Sequence, residues 1–306
     1  MFEVSRRQRA GRDLVEGAAS AFTTADSRWE IEQRQPTKKI HKNIEVGSVV
    51  TPGGVHEQHT MLRRKMQGKG MKKVLVIFDF DHTVIDANSD LHIQKLAPNG
   101  ELPSEIKERY SPNGWTPFMR AVFRYLYENQ VLPDDILHCL REIKFVDGII
   151  DLLVKLHQVG DHELIIISDS NSVFIEHVMQ AAGVRPLVHE IFTNYAHFDA
   201  NGCLQISEYH MQNFCSLSSV NLCKGAIMQE YLERRRKQGV EFDRIAYIGD
   251  GHNDLCPCLR LKATDYIFPR QDYTLAKRIQ KDPERIKASV HPWRTGDDIA
   301  DVLLNK

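Results

Sequence analysis

Residues 74–86 read VLVIFDFDHTVID. The apolar run Val74 to Phe78 is followed by two carboxylates at i and i+2, Asp79 and Asp81, and then by Thr83. A short apolar run of this kind suits a strand buried on both faces. Side chains two apart on an extended segment share a face, so Asp79 and Asp81 project together. Two carboxylates held together out of water are costly unless a cation or a proton lies with them. The stretch therefore predicts a site that holds a divalent metal and does acid–base or nucleophilic chemistry. Solvated acids at a surface strand end are the plainer alternative, and the apolar strand they interrupt argues against it.

Two further runs repeat the pattern. ELIIISDSNS, Glu163 to Ser172, is apolar and ends in Ser168 and Asp169. RIAYIGDGHND, Arg244 to Asp254, is apolar and ends in a Gly-Asp-Gly turn, with Asp250 and Asp254 four apart. Between them Lys224 lies in the helical pattern VNLCKGAIMQEYLERRR. Buried-type strands separated by helices predict an α/β fold with a parallel sheet. In such sheets ligands sit outside the carboxyl ends of the strands. Asp79, Asp81, Ser168, Asp169, Asp250 and Asp254 are expected to gather there.

These residues resemble the four motifs of the haloacid dehalogenase-like hydrolases, in order. DFDHT at Asp79 to Thr83 is similar to the first, Ser168 to the second, Lys224 to the third and GDGHND at Gly249 to Asp254 to the fourth. A closer resemblance runs from about Lys73 to Asn305, to the phosphoethanolamine/phosphocholine phosphatase branch and its paralogue, the pyridoxal-phosphate phosphatases. FDFDHTVIDANSD, LAPNGELP, FMRAVFRYL, ISDSNSVFI, NLCK and YIGDGHNDLCP carry it, with SDSNSVF and FPRQDYTL nearer the paralogue.

The resemblance implies a Rossmann-like parallel sheet with a helical cap inserted after the first strand. It implies Asp79 as a nucleophile that forms an aspartyl-phosphate, and Asp81 as the acid, then the base, of the two half-reactions. Mg²⁺ would be held by Asp79, the Asp81 backbone carbonyl and Asp250, a hard cation with few protein ligands. Ser168 and Lys224 would hold phosphoryl oxygens. Thr83 would steady the loop, and Asp254 would orient Lys224 or a metal-bound water. Singly, each has a plain reading: Ser168 a turn residue, Lys224 a solvated lysine, Asp250 and Asp254 turn and cap residues. Together they point to the chemistry.

Asp90 and Asp169 are not needed for phosphate chemistry. The resemblance places them as an anionic pocket for an amine head group, where charge-assisted contacts are strong. Alternatively, each caps the helix that follows it. Both also match the pyridoxal-phosphate paralogue, so they do not separate the two substrates.

The expected organisation is a basic, disordered extension over 1–70, a catalytic α/β core over 71–90 and 162–306, and a helical cap over 91–161. Apolar spacing at Phe118, Val122, Tyr125 and Leu126 predicts a cap helix, with further helix signals at Pro133-Asp134-Asp135 and a stop at Gly160. Such a cap excludes water, and Trp115 and Phe118 could line the pocket or simply pack within the cap. A hairpin insertion over 194–221 turns at Asp199-Ala200-Asn201-Gly202. It carries His210, Cys203 and Cys215, with Cys223 just beyond. The resembled family is richer in His and Cys here, and Ser218 stands where a cysteine is expected. Cys256-Pro257-Cys258 has no second pair at zinc spacing. The cysteines therefore read as buried and free.

The 306-residue chain is 42% hydrophobic and 26% charged, a soluble globular composition with no run long enough to span a membrane. Its six cysteines, with no disulfide-like framework, suit a reducing, cytoplasmic setting. Residues 1–73 hold fifteen Lys/Arg against eight Asp/Glu, so with a whole-chain charge of −1 the rest is at −8. This basic start lacks an apolar signal core, and Met71 could be the functional start. The expected function is a Mg²⁺-dependent phosphatase of small phosphomonoesters, leaning to phosphoethanolamine/phosphocholine, with pyridoxal 5′-phosphate as the alternative substrate. A polyanion-binding protein using the basic tail is the reading from a different class, and intact Asp79, Asp81, Lys224 and Asp250 count against it.

Overall fold

The computed structural model describes residues 73–110 and 114–305. The basic extension read over 1–70 lies outside the described residues.

The strands are β1 (Val74–Phe78), β2 (His162–Asn171), β3 (Glu190–Phe198), β4 (Leu204–Ser207), β5 (Arg244–Gly249), β6 (Tyr266–Pro269) and β7 (Ser289–Val290). They form one sheet in the order β4-β3-β2-β1-β5-β6-β7. Every pairing is parallel except β3 with β4. The opening run thus occupies the sheet's centre, flanked by the two other motif-bearing runs. Phe78 is in register with Ile166 of β2 and Ile248 of β5. Consequently Asp79, the Ser168 segment and Asp250 leave the sheet side by side.

The period of two is visible in the core. Val74, Val76 and Phe78 join one apolar cluster, and Leu75 and Ile77 join a second on the opposite face. Both faces are therefore covered, as an uninterrupted apolar strand requires.

The helices before β2 are α1 (Ser89–His92), α2 (Ser104–Lys107), α3 (Trp115–Glu128), α4 (Pro133–Arg141) and α5 (Ile149–Val159). Phe118, Val122 and Leu126 of α3 are buried, as their spacing predicts. Tyr125 is only partly buried and packs at the cluster's edge. The Asp135 carboxylate accepts the Leu132 N–H at 2.8 Å and so closes the start of α4. The buried residues of α3 and α4 belong to the same cluster as Val74, Val76 and Phe78.

After β2 come α6 (Ser172–Ala181), α7 (Lys224–Lys237), α8 (Leu255–Cys258), α9 (Thr274–Lys281) and α10 (Gly296–Leu304). Helix α5 packs against α10 and β2 at the flank of the sheet. Ile227 and Met228 of α7, with Leu275 and Ile279 of α9, cover the opposite face.

Two local features depart from the simple strand reading. β2 does not end at Ser168 but continues through a register shift to Asn171. The Asp199–Gly202 turn joins β3 to β4, which pairs antiparallel and extends the main sheet by one edge strand. Among the described residues no helix is long and apolar enough to cross a membrane.

Candidate active site

The loop after β1 is wound tightly on itself. The Phe80 carbonyl accepts the N–H groups of Val84 at 2.8 Å and Ile85 at 3.1 Å. His82 takes a left-handed backbone, φ 53°, which is uncommon for a residue with a side chain. Arg270 secures it by donating to the His82 carbonyl at 2.7 Å and to Asp86 at 2.6 Å. The winding places Asp79 and Asp81 on a cleft of about 300 Å³, whose walls include Asn88, Asp169, Asp250 and Asn253.

A buried ion network forms its floor. Lys224 is fully buried at the start of α7 and donates to Asp79 Oδ2 and to Asp254 Oδ1, both at 2.8 Å. Burial disfavours its charge, but the two carboxylates outweigh this and raise its pKa. An ammonium has three N–H donors, so one remains for a further acceptor. Asp254 is saturated. Its Oδ1 also accepts the Tyr247 hydroxyl at 2.6 Å, and its Oδ2 accepts the Asp250 and Gly251 N–H groups at 3.1 and 2.8 Å. Gly249 permits this approach, because a Cβ there would lie 2.6 Å from Asp254 Oδ2.

The remaining acids differ in how they are held. Among the described residues the Asp250 carboxylate receives only Thr83 Oγ1, at 3.5 Å, and burial with Asp254 nearby pushes its pKa to about 7. Asp79 is raised by burial, and Lys224 partly offsets this. Asp81 accepts the Ser89 N–H at 3.0 Å, and burial together with Asp90 holds its carboxyl well above the usual carboxylate range. The environment of Asp81 therefore favours its protonated form, while Asp79 keeps a cationic partner.

Carboxylate oxygens of Asp79, Asp250 and Asp254 lie within 4.8 Å of one another. Buried acids this close, two of them raised, are the donor set a hard divalent cation relieves. Asp254 already makes four hydrogen bonds, whereas Asp250 has lone pairs to spare, so Asp79 and Asp250 fit the ion and Asp254 fits a supporting role. The Asp81 carboxyl stands outside this group.

The other expected residues are also near. Ser168 is fully buried, with its Oγ accepting the Ser170 N–H at 3.3 Å. Asp169 Oδ2 accepts from Asn253 Nδ2 at 2.9 Å on the cleft wall. Asp90 is 2% exposed; its Oδ2 accepts the Trp115 indole N–H at 2.7 Å, and its Oδ1 has no partner among the described residues. Burial pushes Asp90 to about 7. Neither acid caps a helix. Asn88 caps α1 through the Leu91 N–H, and Asn171 caps α6 through the Phe174 N–H.

Sequence reasoning passed over Tyr247, Asn253 and Arg270. Tyr247 carried a usable signal: a phenol inside a wholly apolar strand must find a partner when buried. The contacts of Arg270 span more than 180 residues and left no local trace.

Comparison with known proteins shows the family. The family model described as "Putative Phosphatase" matches residues 74–306. The chain belongs to this family. It is similar to the Mus musculus protein named pyridoxal phosphate phosphatase PHOSPHO2, 40% identical over 231 residues, covering 74% of this chain and 95% of that one. It is also similar to the Homo sapiens phosphoethanolamine/phosphocholine phosphatase, 36% identical over 240 residues, with coverage of 77% and 90%. Among solved structures, a substrate-bound phosphoserine phosphatase complex superposes with a TM-score of 0.52 at 15% identity, covering 76% of this chain and 99% of that chain. That likeness is one of fold, and it is the haloacid dehalogenase-like fold expected from the four motifs.

Proposed function

We propose that the protein hydrolyses small phosphomonoesters through a phosphoryl group carried on Asp79. The observation that carries this is the buried Asp79–Lys224–Asp254 network beside Asp81, a carboxyl whose burial favours its protonated form. Asp79 attacks the phosphorus in line with the ester oxygen, while Lys224 and Ser168 hold phosphoryl oxygens. Asp81 gives its proton to the leaving oxygen. The resulting carboxylate then takes a proton from the water that attacks the phosphoaspartate, which restores both acids. Asp254, fixed by Tyr247 and two backbone amides, holds Lys224 in place. Mg²⁺ would be held by Asp79, Asp250 and the Asp81 carbonyl, and would supply charge neutralisation for the phosphoryl group.

For the substrate, the acidic wall favours a cationic head group, as in phosphoethanolamine or phosphocholine. Asp169 faces the cleft, and Asp90 has one oxygen without a partner. Pyridoxal 5′-phosphate is the second reading, favoured by the 40% identity to the relative of that name against 36% for the other. The deciding experiment is kcat/KM with Mg²⁺ for all three esters side by side. A preference of about a hundredfold, about 2.7 kcal/mol in the transition state, assigns the branch. Absence of turnover with any phosphomonoester would overturn the proposal.

A further inference from the structure

Three thiols from separate segments meet beside the start of α7. Cys215 lies in the loop after β4, Cys223 immediately precedes α7, and Cys256 lies in α8. Their sulfurs all lie within 4.8 Å of one another. Cys256 Sγ is 3.4 Å from Cys215 Sγ and 3.7 Å from Cys223 Sγ. Ser218 Oγ is the fourth atom, 3.4 Å from Cys215 Sγ and 3.2 Å from Cys223 Sγ.

A tetrahedral zinc ion with bonds of about 2.3 Å to sulfur and about 2.0 Å to oxygen sets its sulfurs about 3.8 Å apart and its oxygen about 3.5 Å from each. The observed edges have that size. Two other buried thiols, Cys139 and Cys203, each meet a backbone carbonyl instead, at 3.8 and 3.9 Å. The backbone also makes room for the third sulfur, since a Cβ on Gly225 would lie 2.6 Å from Cys256 Sγ. His210 is excluded from the set, because its Nε2 accepts the Cys223 N–H at 2.9 Å. Cys223 and Cys256 are buried, while Cys215 is partly exposed and gives an ion a way in.

We propose that Cys215, Cys223 and Cys256, with Ser218, bind a thiophilic divalent cation of the zinc class, at a site separate from the carboxylate site. Soft thiolates select such an ion, whereas the carboxylates select a hard one. Binding releases the thiol protons to solvent and changes no oxidation state. The ion ties three segments together. Cys223 adjoins Lys224, and Cys256 follows Asp254 by two residues, so the clamp fixes the separation at which Lys224 meets Asp254.

The test is metal binding by the full chain, reduced, freed of metal with a chelator and then saturated with Mg²⁺ to occupy the carboxylates. Co²⁺ is the spectroscopic probe and Zn²⁺ its competitor. One equivalent of Co²⁺ should give a thiolate-to-cobalt charge-transfer band that Zn²⁺ abolishes. Replacing Cys215 or Cys256 by serine should weaken binding at least a hundredfold, and Cys139→Ser should leave it unchanged. Ser218→Cys does not depend on removing a core thiol, and it should tighten binding at least tenfold. Wild-type protein without the band, or a Ser218→Cys variant that binds no more tightly than wild type, would overturn the proposal. So would a reduced protein that takes up no ion and forms only a Cys215–Cys256 disulfide on oxidation.

Discussion

Replacing Asp90 with asparagine removes one buried charge while keeping the oxygen that Trp115 donates to. In the wild-type protein this carboxyl is 2% exposed and titrates at about 7, against 3.8 for a free aspartate. The cause is first of all burial, opposed by the Trp115 hydrogen bond. Because the folded-state pKa is raised, the folded state binds this proton more tightly than the unfolded state does. The stability it contributes is complete below about pH 4 and is lost as pH rises through about 7. Between about pH 5 and about pH 8 the loss amounts to about 2–3 kcal/mol. Asparagine does not titrate, so the stability of the variant minus that of wild type should grow by about 2–3 kcal/mol from about pH 5 to about pH 8. The other raised acids are common to both proteins and cancel in the difference, except Asp81, which Asp90 helps to raise and whose relief in the variant acts in the same direction. Urea unfolding of both, with chelator present, measures it at each pH. A difference that stays constant with pH would refute the reasoning, because it would mean that Asp90 titrates alike in the folded and unfolded chains. The same variant tests the substrate reading. Its KM should rise more for phosphocholine than for an ester with an uncharged head group, and an equal rise would remove Asp90 from the amine pocket.

Other expectations follow from the same network. Asp79→Asn should lower kcat by about 10⁴-fold or more while the circular dichroism spectrum stays native, and undiminished turnover would exclude Asp79 as nucleophile. Lys224→Met leaves Asp79 and Asp254 buried without their cation and should cost about 3–5 kcal/mol in urea unfolding; equal stability would contradict the buried pair. Tyr247→Phe frees one Asp254 oxygen from its shortest contact and should lower kcat about tenfold or more, with little change in KM. An unchanged kcat would leave Tyr247 a packing residue only. Mg²⁺ should raise the melting temperature more at about pH 8 than at about pH 5, because protons compete for the raised carboxyls of Asp79 and Asp250. Equal shifts at both values would place the ion elsewhere.

The parts of this site that were legible in the sequence are those encoded by short-range pattern. Apolar runs with acids at their ends located Asp79, Asp81, Asp169, Asp250 and Asp254, because a parallel sheet aligns strand ends whatever separates them in the chain. Capping was not legible in the same way. Asn88 precedes Asp90 by two residues and Asn171 follows Asp169 by two, and Asn and Asp are equally good caps, so only the backbone decides which one serves. The answer matters, because it commits neither acid to a cap, and Asp169 lines the cleft. The cysteines show the opposite limit. Spacing rules register pairs a few residues apart, and they missed a cluster assembled from the loop after β4, the start of α7 and α8. The free-thiol reading of Cys215, Cys223 and Cys256 therefore overlooked their convergence. Likewise the hairpin at Asp199–Gly202 was visible as a turn, but its strand's place at the sheet edge depends on β3 already being paired with β2.

The central claim is a covalent phosphoryl group on Asp79, and the most direct test is to trap it. Wild-type protein with Mg²⁺ and its fastest ester is quenched in acid during turnover, digested and mapped by mass spectrometry. The account predicts a phosphorylated peptide that includes Asp79, absent from the Asp79→Asn protein. Steady turnover with no phosphorylated peptide at any quench time, or with the phosphoryl group on another residue, would contradict it.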